Sequence, residues 1–450
     1  MNTRGLSLNT IPPALIPLRF FLTAPLFGIL AALFILFYGA EIWTSRWLPS
    51  SLALTHLITL GFMVMVMMGA MYQFIPVMMG QFIPASERLV PFIHPLLILG
   101  TLSLTSAFIL NFKILYWTAL LSLALSIGLF ALSLLPLLIS PLKKHLIVFI
   151  LRILFVVIMI TIGLGMTMLL SYAYPESGIM LRDYTDIHAS WGLLGWVMLL
   201  IMAVSSQVIP MFFVTAEFSE KLLKLLSLFV VISLSALFLA TYYHLPRNLL
   251  LFVQLLLSLE LAYAAFYILS LIQQRKRKLP DVTINLFRVS LLSILSAILL
   301  WWLFQSGITA SLKILQVQFE FTIALLLIYG LAVSAIIAML QKIVPFLIYL
   351  NLHNLSFKHP ESMSCEPKLV LNMKLIITTL QAKIQFALHL LSYIVLILSV
   401  FYSQWVWLAG LLMLANFSWL AYSLFKGFLF FNNTKKHILT FPEMKMDFGL

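Results

Sequence analysis

Twelve long apolar runs, separated by short polar breaks, occupy most of the chain. They lie roughly at 19–42, 52–79, 90–111, 114–140, 146–172, 186–213, 222–243, 247–272, 284–306, 319–350, 382–402 and 404–427. About 20 apolar residues suffice for a helix to cross a hydrocarbon core, and each run reaches or approaches that length. The pattern predicts an all-α polytopic membrane protein of about twelve transmembrane helices. The weakest break is the last, at Tyr402-Ser-Gln404.

A motif recurs inside this pattern. His56, Gly61 and Gln73-Phe-Ile-Pro76 return as His188, Gly195 and Gln207-Val-Ile-Pro210. A degraded third copy has Gly330 and Gln341-Lys-Ile-Val-Pro345. The glycines stand 134 and 135 residues apart, and each precedes its proline by 15. At about 1.5 Å per residue that spacing is most of a bilayer core, so each copy fits one helix. The copies fall on spans 2, 6 and 10. A period this long therefore predicts three pseudo-symmetric four-helix repeats, approximately 19–140, 146–272 and 284–427, in a single transmembrane domain. A transporter built as six plus six would repeat differently.

Composition agrees: 63% of residues are hydrophobic, 9% are charged, and mean hydropathy is +1.09. A single Cys365 excludes a disulfide framework. The net charge of +13 is concentrated in short connections, which is the positive-inside pattern rather than a nucleic-acid footprint. Even-to-odd connections carry Arg88, Lys143, Lys144, Lys221, Lys224, Arg275-Lys-Arg-Lys278, Lys358 and Lys368. Odd-to-even connections carry one cation each: Arg46, Lys113, Arg182, Arg247 and Lys313. Both termini are therefore expected in the cytoplasm, with 351–381 a cytoplasmic loop holding a short amphipathic helix. The first run, after Arg19, lacks a small-residue cleavage site and is expected to remain as a span.

Polar residues within spans are the candidates for chemistry, because ionisable groups there are costly and usually functional. His56 heads span 2, and Met63 and Met67 fall close to it on a regular helix; a neutral imidazole with thioethers suits haem iron or copper. Met also fills gaps between helices, which is the plainer reading of the stripe. His188 heads span 6. It lies seven residues before its glycine, against five for His56, so on equivalent helices the two rings point about 200° apart. Asp183 and Asp186 precede His188 and suit either a divalent ion or a helix start. His94 on span 3 and His389 on span 11 are further ligand candidates. Glu260 sits mid-span in span 8, where a carboxyl is neutral or paired; it suits a proton or solute path. Gln73 and Gln207 each precede their proline by three, where an amide could satisfy the carbonyl that proline frees. The glycines suit close helix contacts or clearance for a flat ring.

Four stretches carry a family resemblance: Leu18-Arg-Phe-Phe-Leu-Thr-Ala-Pro25, Leu54-Thr-His-Leu-Ile-Thr-Leu-Gly61, His188-Ala-Ser-Trp-Gly-Leu-Leu-Gly-Trp196 and Gln207-Val-Ile-Pro-Met211. With twelve spans in three arcs of four, the chain resembles the haem-copper oxidase subunit I-like superfamily, nearest to NnrS-like proteins and their relatives. The resemblance implies a haem- and copper-binding protein of a bacterial inner membrane, with a redox, nitric-oxide-response or oxidase-assembly role and other membrane subunits as partners. It makes His56 and His188 the leading ligands, followed by His94 and His389. It does not extend to an oxygen-reducing centre, since span 7 has no His and the only His of span 10, His353, lies beyond Pro345. The alternative is a cofactor-free transporter or scaffold on the same fold, using Glu260 with Gln73 and Gln207.

Overall fold

The computed structural model describes residues 10–139, 146–177, 182–276, 281–307, 315–361 and 373–442. Twelve of its helices are long and apolar enough to cross a membrane. We number them in chain order: α1 Leu15–Trp43, α2 Pro49–Met79, α3 Ser86–Leu110, α4 Lys113–Ile139, α5 Val148–Ala173, α6 Thr185–Phe213, α7 Glu220–Tyr242, α8 Arg247–Gln273, α9 Val282–Gln305, α10 Gln316–Lys358, α11 Thr379–Phe401 and α12 Ser403–Ile438. No strand occurs among the described residues. Several basic connections, including Lys143, Lys144, Lys278, Lys313 and Lys368, lie outside them.

Local chemistry sets the ends of these helices. Ser219 caps α7 by accepting from the Leu222 amide, and Asp281 caps α9 by accepting from that of Thr283. Thr378 and Gln381 form a reciprocal capping box at the start of α11. Gly80 ends α2 in the left-handed region, its N–H bonded to the Pro76 carbonyl. Val214 ends α6 in the same conformation on the Pro210 carbonyl. The third copy has no such stop. Tyr349 stays helical four residues past Pro345, and α10 runs on to Lys358. The expected inside loop is thus shorter than 351–381, and its residues 362–372 lie outside those described. Tyr402 is extended and separates α11 from α12, so the last two runs are two helices.

Nine helices surround three. α2, α6 and α10 are the most buried spans, at 61%, 78% and 72% of their apolar windows, against 50% or less for the others. Around them α1 packs on α12, α12 on α11, α3 on α4, α4 on α5, α5 on α7, α7 on α8 and α8 on α9. The central helices share a local departure from α-geometry. Each has a π-helical segment: Leu57–Val64, Trp191–Val197 and Leu326–Val333. Such segments are rare and recur at functional sites. Each contains the motif glycine, and each glycine receives a side chain from the helix immediately before it in the chain. Phe27 of α1 lies on Gly61, Val157 of α5 on Gly195, and Ser293 of α9 on Gly330. The glycines are therefore helix-contact positions, and at Gly61 the contact is a flat ring.

Candidate functional site

Between α2, α6 and α10, and reaching back to α3, α4 and α5, lies a cavity of about 430 Å³. That volume is within the range of small-molecule sites. Its wall is mainly apolar, with some Ser, Thr and Trp side chains, and its ionisable groups are His56, His188, Tyr172, Tyr329 and, at one end, Arg46 with Asp186 and Glu320.

His56 and His188 both line this cavity, although they reach it from different sides. The His56 ring lies beside Phe108 of α3, 5.5 Å between centroids, and its Nδ1 bonds to the Leu52 carbonyl one turn earlier on its own helix at 2.8 Å. The His188 ring turns toward α5. Its Nδ1 bonds to the Thr161 carbonyl at 3.0 Å, and it lies over Gly165, where an added Cβ would sit 2.9 Å from the His188 Cε1. The two rings are anchored on different elements, His56 on its own helix and His188 on α5. They share a cavity because it fills the space between both helices. A carbonyl can only accept, so each Nδ1 carries the proton and each Nε2 keeps its lone pair. Neither Nε2 has a hydrogen-bond partner among the described residues. A ring held through one nitrogen, with the other free, is the form in which imidazole binds a metal.

The methionines divide. Met63 lines the cavity, whereas Met67 is buried without lining it. The π-helical segment begins directly after His56, so a constant 3.6-residue period does not carry across to the methionines.

The cavity's polar end is a three-helix ion cluster. Arg46 reaches Asp186 at 2.5 Å and Glu320 at 3.4 Å. It precedes α2, Asp186 is in the first turn of α6, and Glu320 is near the start of α10, so one guanidinium ties the heads of all three central helices. Burial alone would lower the Arg46 pKa; the Asp186 hydrogen bond, with the charges of Asp186 and Glu320, raises it. Arg46 and Arg182 both lie over Trp47, at 4.7 and 5.5 Å. Asp186 thus serves as an ion-pair partner. Of Asp183 the side chain is outside the description. No group of three or more His, Cys, Asp and Glu suited to a metal occurs among the described residues.

The other candidates lie elsewhere. His94 Nε2 meets Thr23 Oγ1 of α1 at 2.9 Å, and its ring stands edge-on to Phe20. His389 is fully buried, bonded through Nε2 to Ser334 Oγ at 2.7 Å and stacked on Tyr329 at 4.9 Å. It sits behind the cavity wall. Glu260 accepts from Ser233 Oγ at 2.9 Å between α7 and α8, away from the cavity, and its Oε2 has no partner. Gln73 Oε1 is buried without a partner, and Gln207 meets only Ser206 Oγ at 3.5 Å. Neither amide bonds to the carbonyl freed by its proline, contrary to expectation. Thr10 Oγ1 donates to the carbonyl of Pro76 itself at 2.8 Å, which is not the one the proline frees. In the third copy Lys342 takes the glutamine's place and pairs with Asp281 at 2.5 Å, joining α10 to the head of α9.

Sequence reasoning passed over three features: the Arg46 cluster, Gly165, and a polar row on α11. The row was readable as Gln381, Gln385, His389 and Ser392, spaced four, four and three along one helix face. The Arg46 cluster was not, because its members are about 140 residues apart. No family model matches the chain, and no curated protein matches it.

Proposed function

We propose that the cavity holds a haem through His56 and His188, and that the protein is a redox or assembly component of a bacterial inner membrane, akin to NnrS-like members of the haem-copper oxidase subunit I-like superfamily. The observation that carries this reading is the paired free Nε2 atoms. Two imidazoles from two central helices, each fixed through Nδ1 to a carbonyl, face one largely apolar cavity. Iron in haem is commonly held by such nitrogens, and when bound it would supply one-electron chemistry. Copper is the less suited occupant, since it would take the Met63 thioether as third donor beside the two histidines. Three four-helix repeats, both termini in the cytoplasm and further membrane subunits belong to the same proposal. The shared π-helical segments and glycine contacts of α2, α6 and α10 support the repeats.

The test is a reduced-minus-oxidised visible spectrum of detergent-purified protein expressed with a haem precursor, beside His56→Ala and His188→Ala. A haem band in the wild type, lost or shifted in both variants, is expected. A flat spectrum from folded wild type would overturn the reading and leave a cofactor-free transporter or scaffold, with Glu260→Gln as its first variant. A band unmoved by either substitution would remove these residues as ligands.

A further inference from the structure

The seam between α8 and α9 brings two arginines to one level without an acid. Its register is set by Trp302 Nε1 of α9, which donates to Ser258 Oγ of α8 at 3.1 Å. The two helices are antiparallel neighbours and regular over this stretch. Fourteen residues, about four turns, from that bond stand Ile272 on α8 and Arg288 on α9. The two therefore face each other near the Lys342–Asp281 end of the bundle. Arg275 turns back onto the same level, its Nη1 donating to the Ile272 carbonyl at 3.3 Å. The next residue, Lys276, fixes the backbone there by donating its N–H to the Val214 carbonyl at 3.0 Å. Arg288 bonds to Asn285 Oδ1 at 3.3 Å, and Arg275 Nε is buried without a partner. Neither guanidinium meets a carboxylate among the described residues. Asp281, the nearest acid in the chain, is already engaged: Oδ1 accepts from the Thr283 amide and hydroxyl, and Oδ2 from Lys342. Two like charges at one level of a helix seam repel each other unless an anion lies between them.

We infer that Arg275 and Arg288 bind the phosphate of an anionic phospholipid, whose acyl chain lies along Leu292 and Leu299. These leucines share one face of α9 with Arg288 and are 53% and 62% exposed. Arg288 is the seventh residue of α9, about 9 Å from the helix head. Its stem therefore lies in hydrocarbon while its charge reaches the headgroup level. Cations above and exposed apolar side chains below on one stripe match the order of groups in a lipid. A guanidinium fork fits a pair of phosphate oxygens, and basic pockets between helix ends are recurrent headgroup sites. Free phosphate would use the arginines but leave the apolar stripe uncovered. The bound lipid would hold α8, the least buried span at 28%, against α9. This site is remote from the cavity and does not rest on the haem reading.

Native mass spectrometry of the delipidated full chain in detergent tests the site, with phosphatidylglycerol, phosphatidylcholine or inorganic phosphate titrated in. The first phosphatidylglycerol is expected to bind about tenfold tighter than phosphatidylcholine, the ratio that one charge-assisted hydrogen bond supplies. Arg275→Gln and Arg288→Gln are each expected to bring that ratio close to one. Arg288→Lys keeps the charge without the fork and is expected to retain part of the preference. Lys221→Gln removes an exposed cation at the same end of the bundle and is expected to leave the ratio unchanged. Equal affinity for the two lipids in the wild type would overturn the site, a result that requires no variant to fold. A ratio unmoved by both arginine substitutions would overturn it, as would an equal loss in Lys221→Gln, because the preference would then belong to the diffuse charge of that end. Displacement of phosphatidylglycerol by an equal concentration of inorganic phosphate would overturn the lipid as occupant and leave a phosphate site.

Discussion

His188 is held by two positions on α5, and they make it the more sensitive of the two histidines. The Thr161 carbonyl fixes its tautomer and the absent side chain of Gly165 admits its ring. Gly165→Ala would put a methyl group 2.9 Å from Cε1 and push the ring off its carbonyl. Loss of such an orienting contact weakens metal binding by about 10- to 100-fold. We therefore expect Gly165→Ala to lower haem occupancy, read from the band intensity per protein, while expression is maintained. Gly163→Ala is the control, since a Cβ there meets nothing within 4 Å. His56, anchored on its own helix, should be indifferent to both. The two histidines were legible as intramembrane ionisable groups. Their anchors were not, because a backbone carbonyl and a missing side chain leave no mark on polarity patterns.

Helix positions were legible for a different reason. Apolar length and Gly/Pro punctuation fix where a span begins and ends, and all twelve spans lie where the apolar runs do. The exception is instructive: α10 overruns because Pro345 is not followed by a residue that takes the left-handed conformation, as Gly80 and Val214 do. The repeated glycines also predicted close contacts without naming the partners. At Gly330 the partners are the hydroxyls of Ser293 and Tyr393, themselves bonded to each other at 2.8 Å. Gly330→Ala would drive its methyl group into that pair. Overpacking of this kind costs about 1–3 kcal/mol, so a lower midpoint is expected in thermal unfolding of the detergent-solubilised protein. Gly128→Ala in α4, where a Cβ would find open space, should be neutral or stabilising by up to about 1 kcal/mol, the helix-propensity gain. Equal midpoints for the two variants would mean that the α9–α10–α11 contact is looser than described. The π-helical segments had no such signal. They arise from how three central helices pack together, and a single helix read alone gives no reason to expect them.

The whole molecule has two unlike ends, and its orientation decides what the cavity can serve. The Arg46 cluster, His56 and His188 lie at one end; the Lys342–Asp281 pair and the Thr378 head of α11 lie at the other. The cations are distributed unequally between connections of the two ends, and a bilayer places the richer side in the cytoplasm. The cavity would then open toward the outer face. Orientation is measurable because the chain has a single cysteine. In a Cys365→Ser background, Lys113→Cys marks the connection between α3 and α4, and Lys221→Cys the start of α7. Both residues are exposed, in the first turns of α4 and α7. A membrane-impermeant thiol reagent applied to spheroplasts of a bacterial expression host is expected to label Lys113→Cys at once and Lys221→Cys only after lysis. The reverse order would turn the molecule over and place the cavity mouth in the cytoplasm.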